Sequence, residues 1–288
     1  CNIYLLRSNL EYLNSNDPSY PNLNYAGSSD TPVESIADYF NGAIILVTGG
    51  TGFVGKALLE KLLRSCPGID TIYVLMRPKR GLSVEQRYKE LLKNQVFDRI
   101  RMRWPERLTK LHPITGDVSA PNLGVSAEQR ELLAKVTTLF HSAATVRFTE
   151  PLQAATALNV QGTATLLKLA TDMPLLKALV HVSTAYSNAP RSHIEERVYP
   201  PPYDPDSIVR CTKMLPSATV EGISESLQVR QRQRYLDLCS ISRVDVFFFN
   251  NGIANSVHTA SVKYNFCINF LPDSMKLDEV IIKLVSRQ

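Results

Sequence analysis

The chain has 288 residues, 44% hydrophobic and 20% charged, a globular balance that excludes a wholly disordered or fibrous protein. No apolar run reaches the ~18 residues of a transmembrane helix. The five cysteines (Cys1, Cys66, Cys211, Cys239 and Cys267) are odd in number, widely spaced and without a C-x-x-C, which argues against a disulfide framework or structural zinc and for an intracellular setting. The net charge of +5 is uneven. Residues 1–40 are acidic, whereas residues 61–110 hold thirteen basic and five acidic side chains. Few aromatics interleave with that basic stretch, so a solvated helix face is favoured over nucleic-acid binding. Attraction for a phosphate-rich ligand is the third reading.

Residues 1–34 are polar and aperiodic and are expected to form a flexible tail. The first residue is Cys1 rather than Met, from which a fragment, a processed form or an imperfect gene model is expected. Ile44-Ile45-Leu46-Val47 is a short apolar run between glycines and predicts a buried parallel strand. Gly55–Leu63 has helical spacing. Thr71–Met76 predicts a second strand, and Ser83–Arg101 a long amphipathic segment. Leu111–Ile114 predicts a third strand. Ser126-Ala127-Glu128-Gln129 has the form of a capping box opening a helix. Val136–His141 predicts strand four, Asn159–Met173 a helix ended by Pro174, and Leu179–Ser183 strand five. Strands and helices alternate, so the expected fold is α/β, a doubly wound parallel sheet of the Rossmann type. Tyr199–Pro205 is expected to be a loop, with partial helix from Ile208 to Leu227. Residues 228–288 show no clean period and are expected to be a divergent tail after a domain spanning residues 35–227.

Thr48-Gly49-Gly50-Thr51-Gly52-Phe53-Val54-Gly55 follows the first strand directly. Gly49 allows the turn out of the strand, Gly52 allows backbone to approach a pyrophosphate, and Gly55 lets the helix pack on the sheet. The helix N-terminus then presents unpaired N–H groups to an anion. With both flanks matching, the run predicts a dinucleotide site made by Thr48, Gly49, Thr51, Gly52, Phe53, Val54 and Gly55. At the end of the second strand, where an NAD site carries an acid, stands Met76-Arg77-Pro78-Lys79-Arg80. Arg77 can fork onto a 2′-phosphate, with Lys79 or Arg80 in support, which predicts NADPH. Asp117 and Val118 after strand three are candidate adenine contacts. Ser142, Ala143 and Ala144 after strand four allow close backbone approach to the nucleotide. Ser183 and Thr184 after strand five offer a hydroxyl to a substrate carbonyl. His141 and His181 are expected to be satisfied core groups, and no cluster has metal-ligand spacing.

The runs Ile45–Lys56, Leu58–Arg64, Tyr73–Lys79, Phe140–Phe148, Asn159–Thr163, Val180–Asn188 and Val198–Pro202 resemble the insect-type fatty acyl-CoA reductases, within the extended short-chain dehydrogenase/reductases. The resemblance covers about Ile36 to Leu227, and Gln228 onward resembles nothing in that family. It implies NADPH-dependent reduction of long-chain acyl-CoA to the fatty alcohol through the aldehyde. It also implies association with the endoplasmic-reticulum or peroxisomal membrane, although no anchor is evident in this sequence. In the superfamily a Tyr with a Lys four residues later donates the proton, helped by a hydroxyl at the Ser183–Thr184 position. None of the twelve tyrosines here has Lys at that spacing, so an incomplete fold and weak or absent turnover are expected. The alternatives are a non-catalytic NADP-binding short form, or another substrate such as that of a sugar epimerase or dehydratase of the same superfamily.

Overall fold

The computed structural model describes residues 35–147, 150–183, 193, 204–222, 244–250 and 253–258. In chain order the main elements are α1 (Ile36–Tyr39), β1 (Ile44–Thr48), α2 (Phe53–Ser65), β2 (Thr71–Met76), α3 (Val84–Leu92), α4 (Asp98–Arg103), β3 (Leu111–Thr115), α5 (Ala127–Leu133), β4 (Thr138–His141), α6 (Leu152–Ala155), a π-helical segment (Thr156–Gly162), α7 (Thr163–Thr171), β5 (Ala178–Val182), α8 (Pro205–Met214), β6 (Val244–Asn250) and β7 (Ile253–His258). The sheet order is β3-β2-β1-β4-β5-β6-β7. The first five strands pair in parallel. Strand order therefore reverses between β1 and β4, the switch point where such sheets open a crevice at their carboxyl ends.

Alternation along the strands divides the core in two. Ile45, Val47, Ile72, Val74 and Met76 face a layer with α2, α3 and α4, including Leu59, Leu62, Leu91 and Ile100. Leu46, Leu75, Ile114, Leu139 and Leu179 face the other layer, with Leu133, Leu166 and Ala170. Helices on both faces explain why the strands read as continuous apolar runs rather than as alternating ones. Each fully buried leucine on α2 contributes on the order of 1.5–3 kcal/mol, enough to fix that helix, and with it the turn that precedes it.

Four local expectations change. The Ser83–Arg101 segment is two helices, not one. Asn94 ends the first by capping a 3-10 turn, its Oδ1 accepting from Val96 N at 3.2 Å. The expected helix from Asn159 starts earlier, at Leu152, and is continuous through the π segment into α7. Pro205 is not loop but the first residue of α8, with Asp204 accepting from Ser207 N. Proline is well placed there, because a first-turn N–H has no helical partner to lose. Fourth, the sheet is not wholly parallel: β6 adds to β5 antiparallel and β7 pairs antiparallel with β6. Val-Asp-Val-Phe-Phe-Phe is rich in strand formers. The capping box at Ser126 forms as expected, Gln129 N donating to Ser126 Oγ and Ser126 N to Gln129 Oε1.

Candidate functional site

The turn after β1 is built by glycine geometry. Gly49 has φ +73°, and a Cβ there would lie 2.6 Å from Ala143 N. The turn is thus pressed against the segment after β4, where no L side chain fits. A Cβ on Gly55 would sit 2.2 Å from Gly49 O, so α2 can start this close to the turn only with hydrogen there. Gly52 precedes α2 and gives it no side-chain cap. By contrast Ser35, Ser83, Ser126 and Asp204 cap α1, α3, α5 and α8. The first turn of α2 therefore keeps N–H groups open toward solvent, the arrangement that receives an anion. Phe53 and Val54 on that turn are 63% and 48% exposed. Large exposed apolar side chains on that turn suit a face for a flat ligand ring.

Beside this turn lies a crowd of positive charge. Arg77, Lys79 and Arg80 are exposed just after β2. Lys79 and Leu82 exchange backbone bonds of 3.1 Å around Arg80 and Gly81, both at positive φ. Arg87 of α3 donates through Nη2 to Thr51 Oγ1 at 3.2 Å and through Nη1 to the Arg77 carbonyl. Loss of water, then the charges of Arg77, Arg80, Arg87 and Arg147, hold the Lys79 ammonium below its ordinary pKa. Surplus positive charge beside an open helix N-terminus suits an anion. Arg77 Nη1 contacts Asp117 Oδ2 at 2.7 Å. Burial opposes ionisation of Asp117, but bonds from Ser119 and Arg77 outweigh it and lower its pKa.

Behind the turn the polar groups are buried and fully directed. Thr163 Oγ1 donates to Asn159 O at 2.8 Å, which leaves its oxygen to accept from His141 Nε2 at 3.0 Å. His141 Nδ1 then carries the lone pair and accepts from Thr48 Oγ1 at 2.6 Å, while Thr48 Oγ1 accepts from Ala143 N at 3.3 Å. Ser142 Oγ donates to Thr48 O at 2.8 Å. Asn159 clamps Thr145 with both arms, Nδ2 donating to its carbonyl at 3.0 Å and Oδ1 accepting from its N–H at 2.9 Å. The π segment thus holds the segment after β4 in register with the glycine turn, a use of π geometry common near functional sites.

His181 stacks on His141 with ring centroids 5.0 Å apart. Burial lowers the His141 pKa to about 3, aided by the neighbouring charge of His181, and burial likewise lowers His181 to about 4. Both are neutral near pH 7 and unsuited to proton transfer there. His141 is a satisfied core group, as expected. His181 is not fully satisfied, since its buried Nδ1 has no partner among the described residues.

The predicted residues therefore divide. Gly49, Thr51, Gly52, Phe53, Val54, Gly55, Arg77 and Lys79 gather around the start of α2 and the end of β2. Ala143 and Ala144 follow β4, half-buried and exposed. Thr48 lies in the same turn, but its side chain is fully buried and bonded to His141, so it braces the site from behind. Ser142 is a brace of the same kind. Val118 is buried in the second core layer, which removes its side chain from contact with a base. Ser183 follows β5 half-buried; Thr184 lies outside the described residues. Arg87 and Asn159 had escaped the sequence reading. Arg87 has no motif spacing from Arg77, and only the reversal of the chain between β2 and α3 brings it to Thr51. Asn159 opens one of the runs that carry the resemblance, but its clamp on Thr145, fourteen residues away, leaves no local signal. Among the described residues no group of His, Cys, Asp and Glu could hold a metal ion, and no helix is long and apolar enough to cross a membrane.

The sequence matches the family model described as Male sterility protein over residues 47–237, which carries the likeness past Leu227, where the sequence reading had ended it. Fatty acyl-CoA reductase 1 of Mus musculus is 44% identical over 194 residues, covering 67% of this chain and 38% of the relative. That of Gallus gallus is 45% identical over the same shares. Fatty acyl-CoA reductase 2 of Bos taurus is 40% identical over 193 residues. The chain spans 38% of the length of these relatives. The terminal R domain from the myxalamid PKS-NRPS biosynthetic pathway, a solved structure, aligns with a TM-score of 0.46 at 28% identity, covering 67% of this chain and 46% of that one.

Proposed function

This chain belongs to the male sterility protein family, and on that premise we propose that it serves the NADPH-dependent reduction of long-chain fatty acyl-CoA to the alcohol, through the aldehyde. The observation that carries the cofactor choice is the cluster of Arg77, Lys79, Arg80 and Arg87 beside the uncapped N-terminus of α2. The open N–H groups of α2 suit a pyrophosphate. The cations at the end of β2, where no acid stands, suit a 2′-phosphate. Ala143 and Ala144 leave room for backbone to meet the nucleotide. When bound, the reduced nicotinamide supplies hydride. At each reduction the carbonyl oxygen gains negative charge, and a hydroxyl donor there lowers the barrier. Ser183, half-buried after β5, is our candidate for that donor, together with Thr184. The acyl-CoA substrate is supported by the names of the relatives. We assign the protein to the interior of the cell, in keeping with five widely spaced cysteines that form no C-x-x-C.

A second reading is favoured by one observation: none of the twelve tyrosines has a lysine four residues on. General acids contribute about a hundred- to ten-thousand-fold in rate, so a chain without one is a nucleotide-binding protein first. The test mixes the 288-residue chain with NADPH and a long-chain acyl-CoA, following nicotinamide absorbance and product alcohol. NADPH binding with turnover at least about a hundredfold below a relative that carries the pair supports the reductase reading. Tight NADPH binding with no alcohol favours the non-catalytic one. Absence of NADPH binding sinks both.

A further inference from the structure

Asp117, the candidate adenine contact, also accepts three bonds from within the protein. Oδ1 accepts from both Ser119 N at 2.9 Å and Ser119 Oγ at 2.7 Å. Oδ2 accepts from Arg77 Nη1 at 2.7 Å. The backbone around it is also tied, Asp117 N donating to Leu123 O at 2.8 Å and Ala120 N to Asp117 O at 2.9 Å. The carboxylate is therefore a fixed point, and Arg77 is the group attached to it. The main chain of Arg77 is held separately, because its carbonyl accepts from Arg87. A guanidinium has five N–H donors in a rigid fork, and one bond to Asp117 leaves the others for a ligand.

We propose that Asp117 is a positioning residue for cofactor selectivity: it aims Arg77 at the 2′-phosphate that distinguishes NADPH from NADH. The inference rests on the NADPH reading above. The argument is preorganisation. An exposed arginine side chain loses much rotamer freedom when it grips a phosphate, and a tether already in place reduces that loss. Asp117 also cancels one positive charge, which taken alone would weaken phosphate binding. Lys79, Arg80 and Arg87 remain as surplus cations, so orientation outweighs that loss.

The test is a fluorescence titration of the chain with NADPH and with NADH, for wild type, Asp117→Asn, Arg77→Ala and the double variant. Asp117→Asn keeps an oxygen for the Ser119 bonds and turns an amide N–H₂ toward Arg77, so the loop is retained while the tether is broken. Thermal melting checks that retention, and Asp117→Ser is the second variant if the first melts early. The expected result is NADPH binding weakened about tenfold, the scale of one charge-assisted bond, with NADH binding unchanged. In the Arg77→Ala background Asp117→Asn has no further effect, because the two act as one unit. Equal weakening of both cofactors would mean an adenine contact and overturn the proposal. Unchanged or tighter NADPH binding would overturn it too, the latter showing the carboxylate as a mere opposing charge. If wild type itself shows no preference for NADPH over NADH, the cofactor reading falls along with this inference. If wild type prefers NADPH and Asp117→Asn keeps that preference, only this inference falls.

Discussion

Residues 77–87 and residues 101–110 are both rich in arginine and lysine, and the structure gives the two stretches opposite tasks. In the second, each named cation finds carbonyl oxygen. Arg107 donates to Leu63 O at 3.1 Å and Arg64 O at 2.9 Å at the end of α2, and its guanidinium lies 4.4 Å over the Trp104 ring. Arg101 bonds Leu92 O and Asn94 O at the end of α3. Lys110 reaches Pro67 O at 2.7 Å and also Ile69 O. These groups satisfy carbonyls that a helix end or turn leaves open, and they complement the negative end of the helix dipole. In the first stretch Arg77, Lys79 and Arg80 lie exposed beside one another, Asp117 pairs with Arg77, and among the described residues Arg87 alone of these cations reaches a carbonyl, that of Arg77. The lesson is that a basic run is neither a solvated face nor a ligand site by composition. Cations facing carbonyls hold the fold, and cations facing one another are poised for an anion. The solvated-face expectation fails for Arg101, Arg107 and Lys110, and the phosphate reading keeps only the residues near Thr51.

Three measurements sharpen or break this contrast. The largest effect comes from acid, and it sets the baseline for the contrast, because it arises at the stacked His141 and His181, outside both stretches. His141 and His181 have folded pKa values depressed to about 3 and about 4. Below ~6.5, the ordinary imidazole value, the unfolded chain takes up protons that the folded one refuses. Stability should therefore be fully present at neutral pH and fall as pH drops from ~6.5 toward those depressed values, by up to ~1.4 kcal/mol per pH unit per histidine. Urea unfolding from pH 7 to 4 measures this. His181→Phe should shallow the slope by about one proton, and an unchanged slope would remove His181 as the cause.

The next effect is on stability in the second stretch. Arg107→Ala leaves the half-buried end of α2 without its donor and should cost about 1–3 kcal/mol, seen as a lower melting temperature with NADPH affinity unchanged. Loss of NADPH binding in a variant that still folds would erase the distinction between the stretches. The smaller stability effect belongs to the first stretch. Arg87→Ala removes the bonds to the Arg77 carbonyl and Thr51 and should cost about 0.5–1.5 kcal/mol, yet weaken NADPH about ten- to a hundredfold. That weakening should diminish at high salt, because exposed charges are screened. Salt-independent weakening would point instead to a collapsed Thr51 turn.

The parts of the fold legible in the sequence were those with local causes. The apolar runs at β1, β2 and β3, the capping box at Ser126 and the glycine spacing each act within a few residues, so a linear reading finds them. The break at Asn94 was missed because the amphipathic period continues across it; the Asn94 cap on Val96 N and the bond from Arg101 to the Asn94 carbonyl show the chain turning. The strand β6 was missed because a tail without regular period can still pair at a sheet edge, where backbone bonds need no pattern. Thr48 was read correctly in place and wrongly in role, since which side of a turn a hydroxyl faces depends on His141, 93 residues away.

The sequence by itself determined the α/β class, the parallel order of the first five strands' region, the glycine turn and the absence of an acid after β2. Those follow from hydrophobic period and from backbone sterics, which act over short stretches of chain. Only the tertiary structure decided which cations are bonded to carbonyls, that Arg87 joins the turn, that Asp117 faces Arg77, and that Asn159 clamps Thr145. Coulombic and hydrogen-bond energies depend on separations of a few ångströms between groups dozens of residues apart, and the packing of β2, β3 and α3 sets those separations.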